Sequence, residues 1–197
     1  MRARVAVLVS GGGTNLQALL DAVASGILHS GEIVLVVSSR PDAYALTRAQ
    51  DAGIEALTVT KADGEQALIE ALEIRDIDLI VLAGYLTILS GKLVRRYENR
   101  IVNVHPSLIP AFCGKGFYGL RPHEEALKRG VKVTGATVHL VNEIPDGGKI
   151  LAQKAVDVLP GDTPEILQKR VMVEAEWVLL PRAVETLSAG IAKEKSE

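Results

Sequence analysis

The chain has a single cysteine, Cys113, so an internal disulfide framework and a cysteine metal cluster are both excluded. It has no excess of positive charge. Twenty-two basic against 24 acidic residues leave a net charge of −2, which gives no electrostatic footprint for nucleic acid or an anionic membrane. Long apolar runs are missing too, and nothing approaches the ~20 residues of a membrane-spanning helix. The opening "MRARVAVLVSGGG" begins like a signal peptide, but its apolar run is only Val5 to Val9 before three glycines, too short for an h-region. Repeats, linkers and low-complexity segments are absent as well. What is there is 197 residues, 48% hydrophobic, enough for one globular domain with a substantial core, expected in the cytoplasm.

Apolar runs of strand length alternate with amphipathic helical stretches. Strands are expected near 4–9, 32–38, 56–60 and 78–83, and helices near 14–25, 42–52, 64–75 and 91–97. Gly26 and Gly53 stand where two of these helices should stop. Continuous runs such as "RVAVLV" and "LIVLAG" suit strands covered on both faces. The expected fold is therefore a Rossmann-like α/β domain: an open, mostly parallel sheet with helices on both faces and right-handed crossovers. From residue 131 the pattern changes. "VKVTGATVHLV" and "KILAQKAVDVL" flank the turn "EIPDGG" and read as a C-terminal hairpin or pair of edge strands. In "GDTPEI", Thr163 is the expected helix N-cap and Pro164 its first residue. That helix should pass Trp177 and be kinked or divided by Pro181, with "AKEKSE" a frayed, solvated end.

Two strand ends carry chemistry. "VLVSGGGTNLQALL" runs from strand through glycines into a helix, where unpaired N–H groups favour an anion. A dinucleotide fingerprint would need glycine at Leu16, and a P-loop would need Lys-Ser/Thr, so a phosphate monoester fits better, held by Gly11–Gly13, Thr14 and Asn15. The other reading is a tight turn with Thr14 or Asn15 as the helix cap. "VLAGYLTILS" is a second strand leaving into a loop, with Tyr85, Leu86 and Ile88 as an apolar wall or as core.

The most informative stretch is "IVNVHPSLIPAFCGKGFYGLRPH". Asn103 and His105 share one face of a strand by its period of two, and a polar pair on a buried strand costs free energy unless it is satisfied or used. Pro106 ends the ladder, and a loop of about sixteen residues follows, long enough to cover the pair. His139 in "ATVHLV" and Asp146 in "EIPDGG" complete the set. No zinc spacing is present, His29 reads as a surface residue, and His123 fits the first turn of a helix. His139 can equally be a core histidine bonded within its sheet. Ser107 lacks a nucleophile elbow and reads as a cap of the proline turn, and nothing places a base for Cys113. Asparagine, histidine and aspartate without a nucleophile suit direct transfer, with Asn103 and His105 stabilising an oxyanion and Asp146 managing the proton.

Together "SGGGTNLQALLDA", "VLAGYLTILS", "NVHPSLIPAFCGKGFYG", "GATVHLVNEIPDGGKIL" and "EAEWVLLPRAVETL" resemble the phosphoribosylglycinamide formyltransferases, folate-dependent enzymes of de novo purine synthesis. The resemblance covers essentially the whole chain. It implies transfer of a formyl group from 10-formyltetrahydrofolate to the amine of 5′-phosphoribosylglycinamide, with no metal. By it, residues about 1–100 form a phosphate-binding half and about 101–190 a catalytic and folate-binding half of one domain. Gly13, Thr14, Asn15 and Glu176 would hold the ribonucleotide. Leu86, Thr87, Ile88, Leu89, Asn103, Asn142, Glu143, Ile144, Pro145 and Asp146 would hold the folate, largely through backbone groups. Asn103, His105, Asp146 and His139 would be catalytic, with Asp146 keeping His105 charged. The implied partners are these two small molecules, with neither nucleic acid nor membrane, and a homodimer is left open. Two positions depart from the family's pattern on the folate side: Leu86-Thr87 stands where many relatives have Met-Arg, and Lys61 where an arginine is common. Methionyl-tRNA formyltransferases would bring a further C-terminal domain and a basic face, and formyltetrahydrofolate hydrolases an N-terminal regulatory domain. Neither is expected here. Sugar N-formyltransferases usually run longer. A phosphate-binding module without chemistry would be indifferent to His105 and Asp146.

Overall fold

In the computed structural model, which describes residues 1–196, strands and helices alternate through the first half of the chain. They run β1 (Ala3–Val9), α1 (Thr14–Ala24), β2 (Gly31–Ser38), α2 (Tyr44–Asp51), β3 (Glu55–Thr58), α3 (Gly64–Glu73), β4 (Leu79–Leu82), α4 (Gly91–Arg96) and β5 (Ile101–His105). The second half holds α5 (Arg121–Arg129), β6 (Val133–Leu140), β7 (Ile150–Asp157), α6 (Pro164–Val171), a π-helical turn (Met172–Glu176) and α7 (Trp177–Glu194). All seven strands form one sheet in the order β3-β2-β1-β4-β5-β6-β7. The first five pair in parallel, and β6 and β7 join antiparallel at one edge. This is the expected open, mostly parallel α/β sheet.

Strand β1 shows why its sequence is a continuous apolar run. Val5, Val7 and Val9 pack with Leu16 and Leu19 of α1, Ala45 and Ala49 of α2, and Leu180 and Val184 of α7. Ala6 and Leu8 pack on the other face with Leu68, Ile69 and Leu72 of α3 and Leu93 of α4. Successive side chains point to opposite faces, so the stretch covered by helices on both sides, Val5–Val9, is apolar throughout, while Arg4 at the strand's start reaches the Arg75 carbonyl instead.

The expected cap holds: Thr163 Oγ1 accepts from the Ile166 N–H at 3.3 Å, with Pro164 opening α6. Two expectations are corrected. The helix breaks before Pro181, at the π-helical turn, and α7 carries Pro181 inside it. Pro181 is the fifth residue of α7 and has no N–H to bond back to the preceding turn, and the π-helical turn lies directly before that α-helix. The expected frayed tail is helical as far as Glu194, and Glu197 lies outside the described residues.

Helix α5 buries His123, which is 1% exposed and has no hydrogen-bond partner at either ring nitrogen among the described residues. Burial, aided by the charge of His105, pushes its pKa down to about 4. The unfolded chain takes up a proton near pH 6.5, while the folded chain refuses it until about 4. Stability should therefore be full above pH 6.5 and fall as the pH drops towards 4, by at most about 3 kcal/mol from this residue. Thermal unfolding followed from pH 7.5 downwards should show that fall, and a shallower one in His123→Leu. Equal slopes in the two proteins would refute it.

Candidate active site

Strand β1 lies between β2 and β4, so connections leave its two sides in opposite directions. Open sheets of this kind hold ligands outside the carboxyl ends of the strands at such a point. The loops after β1, β4 and β5 all emerge there. Ser10, buried at the end of β1, ties two of them together: its Oγ accepts from the Leu86 N–H at 2.9 Å and meets Ser39 Oγ at 2.6 Å.

Antiparallel pairing places Asn103 of β5 directly opposite His139 of β6. His139, 2% exposed, has Nδ1 2.8 Å from the Leu140 carbonyl oxygen, which only accepts, so that nitrogen carries the proton. Its Nε2 receives the Asn103 amide at 3.2 Å, and Asp146 Oδ1 stands 3.5 Å away. The other carboxylate oxygen, Oδ2, lies 3.5 Å from His105 Nδ1 and accepts the Gly114 N–H at 2.7 Å. His105 Nε2 is 2.9 Å from the Phe112 carbonyl oxygen. Four side chains from two strands and a turn thus form one buried polar cluster, roofed by the loop after β5. Ser107 stays within that loop, donating to the Ala111 carbonyl, and takes no part in the cluster. Asp146 (φ 55°) and Phe112 (φ 49°) are both left-handed. Aspartate tolerates this conformation, but a bulky residue there is strained, and such strain gathers at functional sites.

The charge states follow from burial. Burial opposes ionisation of Asp146, but the His139 imidazole beside it, the charge of His105 and the Gly114 N–H outweigh it and hold the carboxyl below its ordinary range. For His105 burial wins. It pulls the imidazole below its usual value, assisted by His139, although Asp146 and the Phe112 carbonyl push the other way. In the ligand-free protein Asp146 thus raises the His105 pKa without fully offsetting the desolvation. Both ring nitrogens face acceptors, as an imidazolium requires, yet desolvation costs more than those partners return.

All ten residues expected on the folate side line a single cavity of about 140 Å³: Leu86–Leu89, Asn103 and Asn142–Asp146. Leu86, Ile88 and Ile144 there are 56%, 72% and 66% exposed, an apolar rim that a flat, partly aromatic ligand would cover. Lys61 lines an adjoining cavity of about 380 Å³ with Tyr85, Thr87 and Leu89.

At the glycine loop the helix N-cap is Gly13, with φ 72° and no side-chain cap, so neither Thr14 nor Asn15 caps α1. Thr14 Oγ1 donates weakly to Met172 Sδ at 3.8 Å, and Asn15 Nδ2 donates to Glu176 Oε2 at 2.8 Å. The π-helical turn delivers Glu176 to this contact, and such turns are frequent at functional sites. Burial raises the Glu176 carboxyl above its usual range, offset in part by Asn15. Asn15 Oδ1 is buried and has no hydrogen-bond partner among the described residues, an acceptor beside the loop. Glu176 thus meets Asn15 from far along the chain, and Asn142–Asp146 line one cavity with Leu86–Leu89. A Cβ on Gly13 would lie 2.7 Å from Ala45 Cβ in a left-handed conformation. Gly13→Ala should therefore cost about 1–3 kcal/mol or more, a fall in Tm of several degrees by calorimetry, and an unchanged Tm would contradict this geometry.

The formyl transferase family model matches residues 3–184. This chain belongs to the formyl transferase family. Among its members, the chloroplastic phosphoribosylglycinamide formyltransferase of Arabidopsis thaliana is 41% identical over 180 residues, covering 88% of this chain and 61% of that protein. The chain thus spans about three fifths of the length of that plant relative. Phosphoribosylglycinamide formyltransferase of Haemophilus influenzae is 38% identical over 193 residues, 95% of this chain and 88% of the relative. Glycinamide ribonucleotide transformylase 1 of Symbiobacterium toebii superposes with a TM-score of 0.89 at 42% identity, over 96% of this chain and 89% of that one. Within this formyl transferase fold, the sequence patterns missed the contributions of loop backbone, the Phe112 carbonyl and the Gly114 N–H, which carry no side-chain signature. Among the described residues no group of three or more His, Cys, Asp and Glu side chains is arranged to hold a metal ion, and no helix is long and apolar enough to cross a membrane.

Proposed function

We propose that the chain transfers a formyl group from 10-formyltetrahydrofolate to the amine of 5′-phosphoribosylglycinamide, in de novo purine synthesis. The supporting observation is the buried cluster of Asn103, His105, His139 and Asp146 at one wall of an apolar-rimmed cavity, in a chain whose relatives carry that name. 10-Formyltetrahydrofolate would supply the formyl carbon, its ring system against Leu86–Leu89 and Asn142–Asp146. The phosphate of the ribonucleotide would sit on Gly13, Thr14 and Asn15, with Glu176 turned to its ribose or glycinamide end.

As the amine attacks, negative charge grows on the formyl oxygen. Asn103 has two amide hydrogens and spends one on His139, so the second is free for that oxygen. His105 is the other donor, with the oxygen taking the place of the Phe112 carbonyl at Nε2. Charge appearing there favours the imidazolium and opposes the desolvation that lowers the His105 pKa in the free protein. Asp146, held ionised, takes the proton released by the amine, directly or through a water molecule. The adduct then collapses as the bond from the formyl carbon to N10 of the folate breaks and that proton passes to N10, releasing tetrahydrofolate. His139 anchors Asn103.

The test mixes the ribonucleotide with 10-formyltetrahydrofolate and follows loss of the formyl folate, beside a matched reaction without the ribonucleotide. Loss that depends on the ribonucleotide is expected. Equal loss without it would make the chain a hydrolase, and no loss in either would leave a binding module.

A further inference from the structure

Every carbonyl of the glycine loop is occupied from one side. Gly11 C=O accepts the Ala45 N–H at 3.1 Å, Gly12 C=O accepts Arg48 Nε at 2.8 Å, and Gly13 C=O accepts the Gln17 N–H at 2.9 Å. A trans peptide is planar, with its N–H opposite its C=O. The N–H groups of Gly12, Gly13 and Thr14 share those three peptide planes, so they point away from α2 and from the body of α1. None of the three has a hydrogen-bond partner among the described residues. They form the donor set expected of an anion site at a helix N-terminus.

Two of these carbonyls are held by backbone. The middle one is held only by a side chain, and that side chain is itself fixed. Arg48 Nη1 donates to Gln17 Oε1 at 2.8 Å, and its guanidinium carbon lies 5.0 Å from the centre of the Tyr44 ring. The guanidinium is therefore clamped between α1 and α2, with its charge against the loop. The loop has no lysine of the P-loop kind to neutralise a phosphate.

We infer that Arg48 is the positioning residue of the phosphate site. By pinning the Gly12 carbonyl it turns the Gly13 N–H towards the substrate phosphate, so it sets ribonucleotide affinity without touching the transferred group. The inference rests on the reading of this loop as the phosphate site. Arginine is required because lysine has the charge but not the planar fork that reaches Gly12 and Gln17 together.

The experiment compares Arg48→Met and Arg48→Lys with the unaltered protein. Steady-state formyl transfer is measured along with the amide shifts of Gly12 and Gly13 in two-dimensional NMR, titrated with inorganic phosphate. Both variants should raise KM for the ribonucleotide by about 10- to 100-fold, the range for a lost charge-assisted hydrogen bond, with kcat and the folate KM within about threefold. Both should weaken the response of the Gly13 amide to phosphate. Full recovery of KM in Arg48→Lys would show that charge alone matters and overturn the inference, as would an unaltered ribonucleotide KM in either variant. A phosphate response of Gly12 and Gly13 in the unaltered protein that both variants keep would overturn Arg48's role alone. No response in the unaltered protein would remove the phosphate reading, and the inference with it.

Discussion

Replacing Asp146 by asparagine should leave the protein folded and able to bind both substrates, yet lower kcat by about 10²–10⁴, the scale of positioned acid–base catalysis. The fold should survive because asparagine tolerates the left-handed backbone at this position, φ 55°, and its amide oxygen still accepts the Gly114 N–H. What disappears is a negative charge 3.5 Å from both His105 Nδ1 and His139 Nε2, and the base for the amine proton. Removing that charge takes away the largest influence raising the His105 pKa, so the residual activity should also move to lower pH. Near-full kcat across about pH 6 to 9 in the purified variant would make Asp146 a turn former and end the mechanism.

Asn103→Asp should be at least as damaging. The two side chains have the same shape, so the strand pairing of Asn103 with His139 is kept. The substitution removes both amide hydrogens and places an anion beside the oxygen on which charge develops. Losing one oxyanion donor typically costs about 10²–10³ in kcat, and the repulsion adds to it. Substrate KM values should change far less than kcat, because the loss falls on the transition state. A variant that loses affinity for folate while keeping kcat would place Asn103 in binding rather than in catalysis. Loss of both activity and thermal stability could be apportioned by Asn103→Ser, which keeps a hydroxyl donor and no charge and should recover part of kcat.

Much of the scaffold is local information. The apolar runs of β1 and β4 mark strands buried on both faces, because every side chain there meets a helix layer. Thr163 and Pro164 mark a helix start by their own backbone chemistry. The period of two puts Asn103 and His105 on one face of β5, and the sequence alone determines that they are a polar pair at a strand end. It does not determine their partners. His139 meets Asn103 through an antiparallel register, and Asp146 reaches two histidines from a turn 41 residues beyond His105. Those meetings depend on how β6 packs at the sheet edge and on the path of the loops, which long-range packing sets and local periodicity does not report. The same holds for the Phe112 carbonyl on His105 and for Arg48 on Gly12, both set by how distant segments fold against each other. It holds also for the charge of His105. A sequence can place a carboxylate among histidines, but the balance between that charge and desolvation is decided by burial, and burial belongs to the tertiary structure alone.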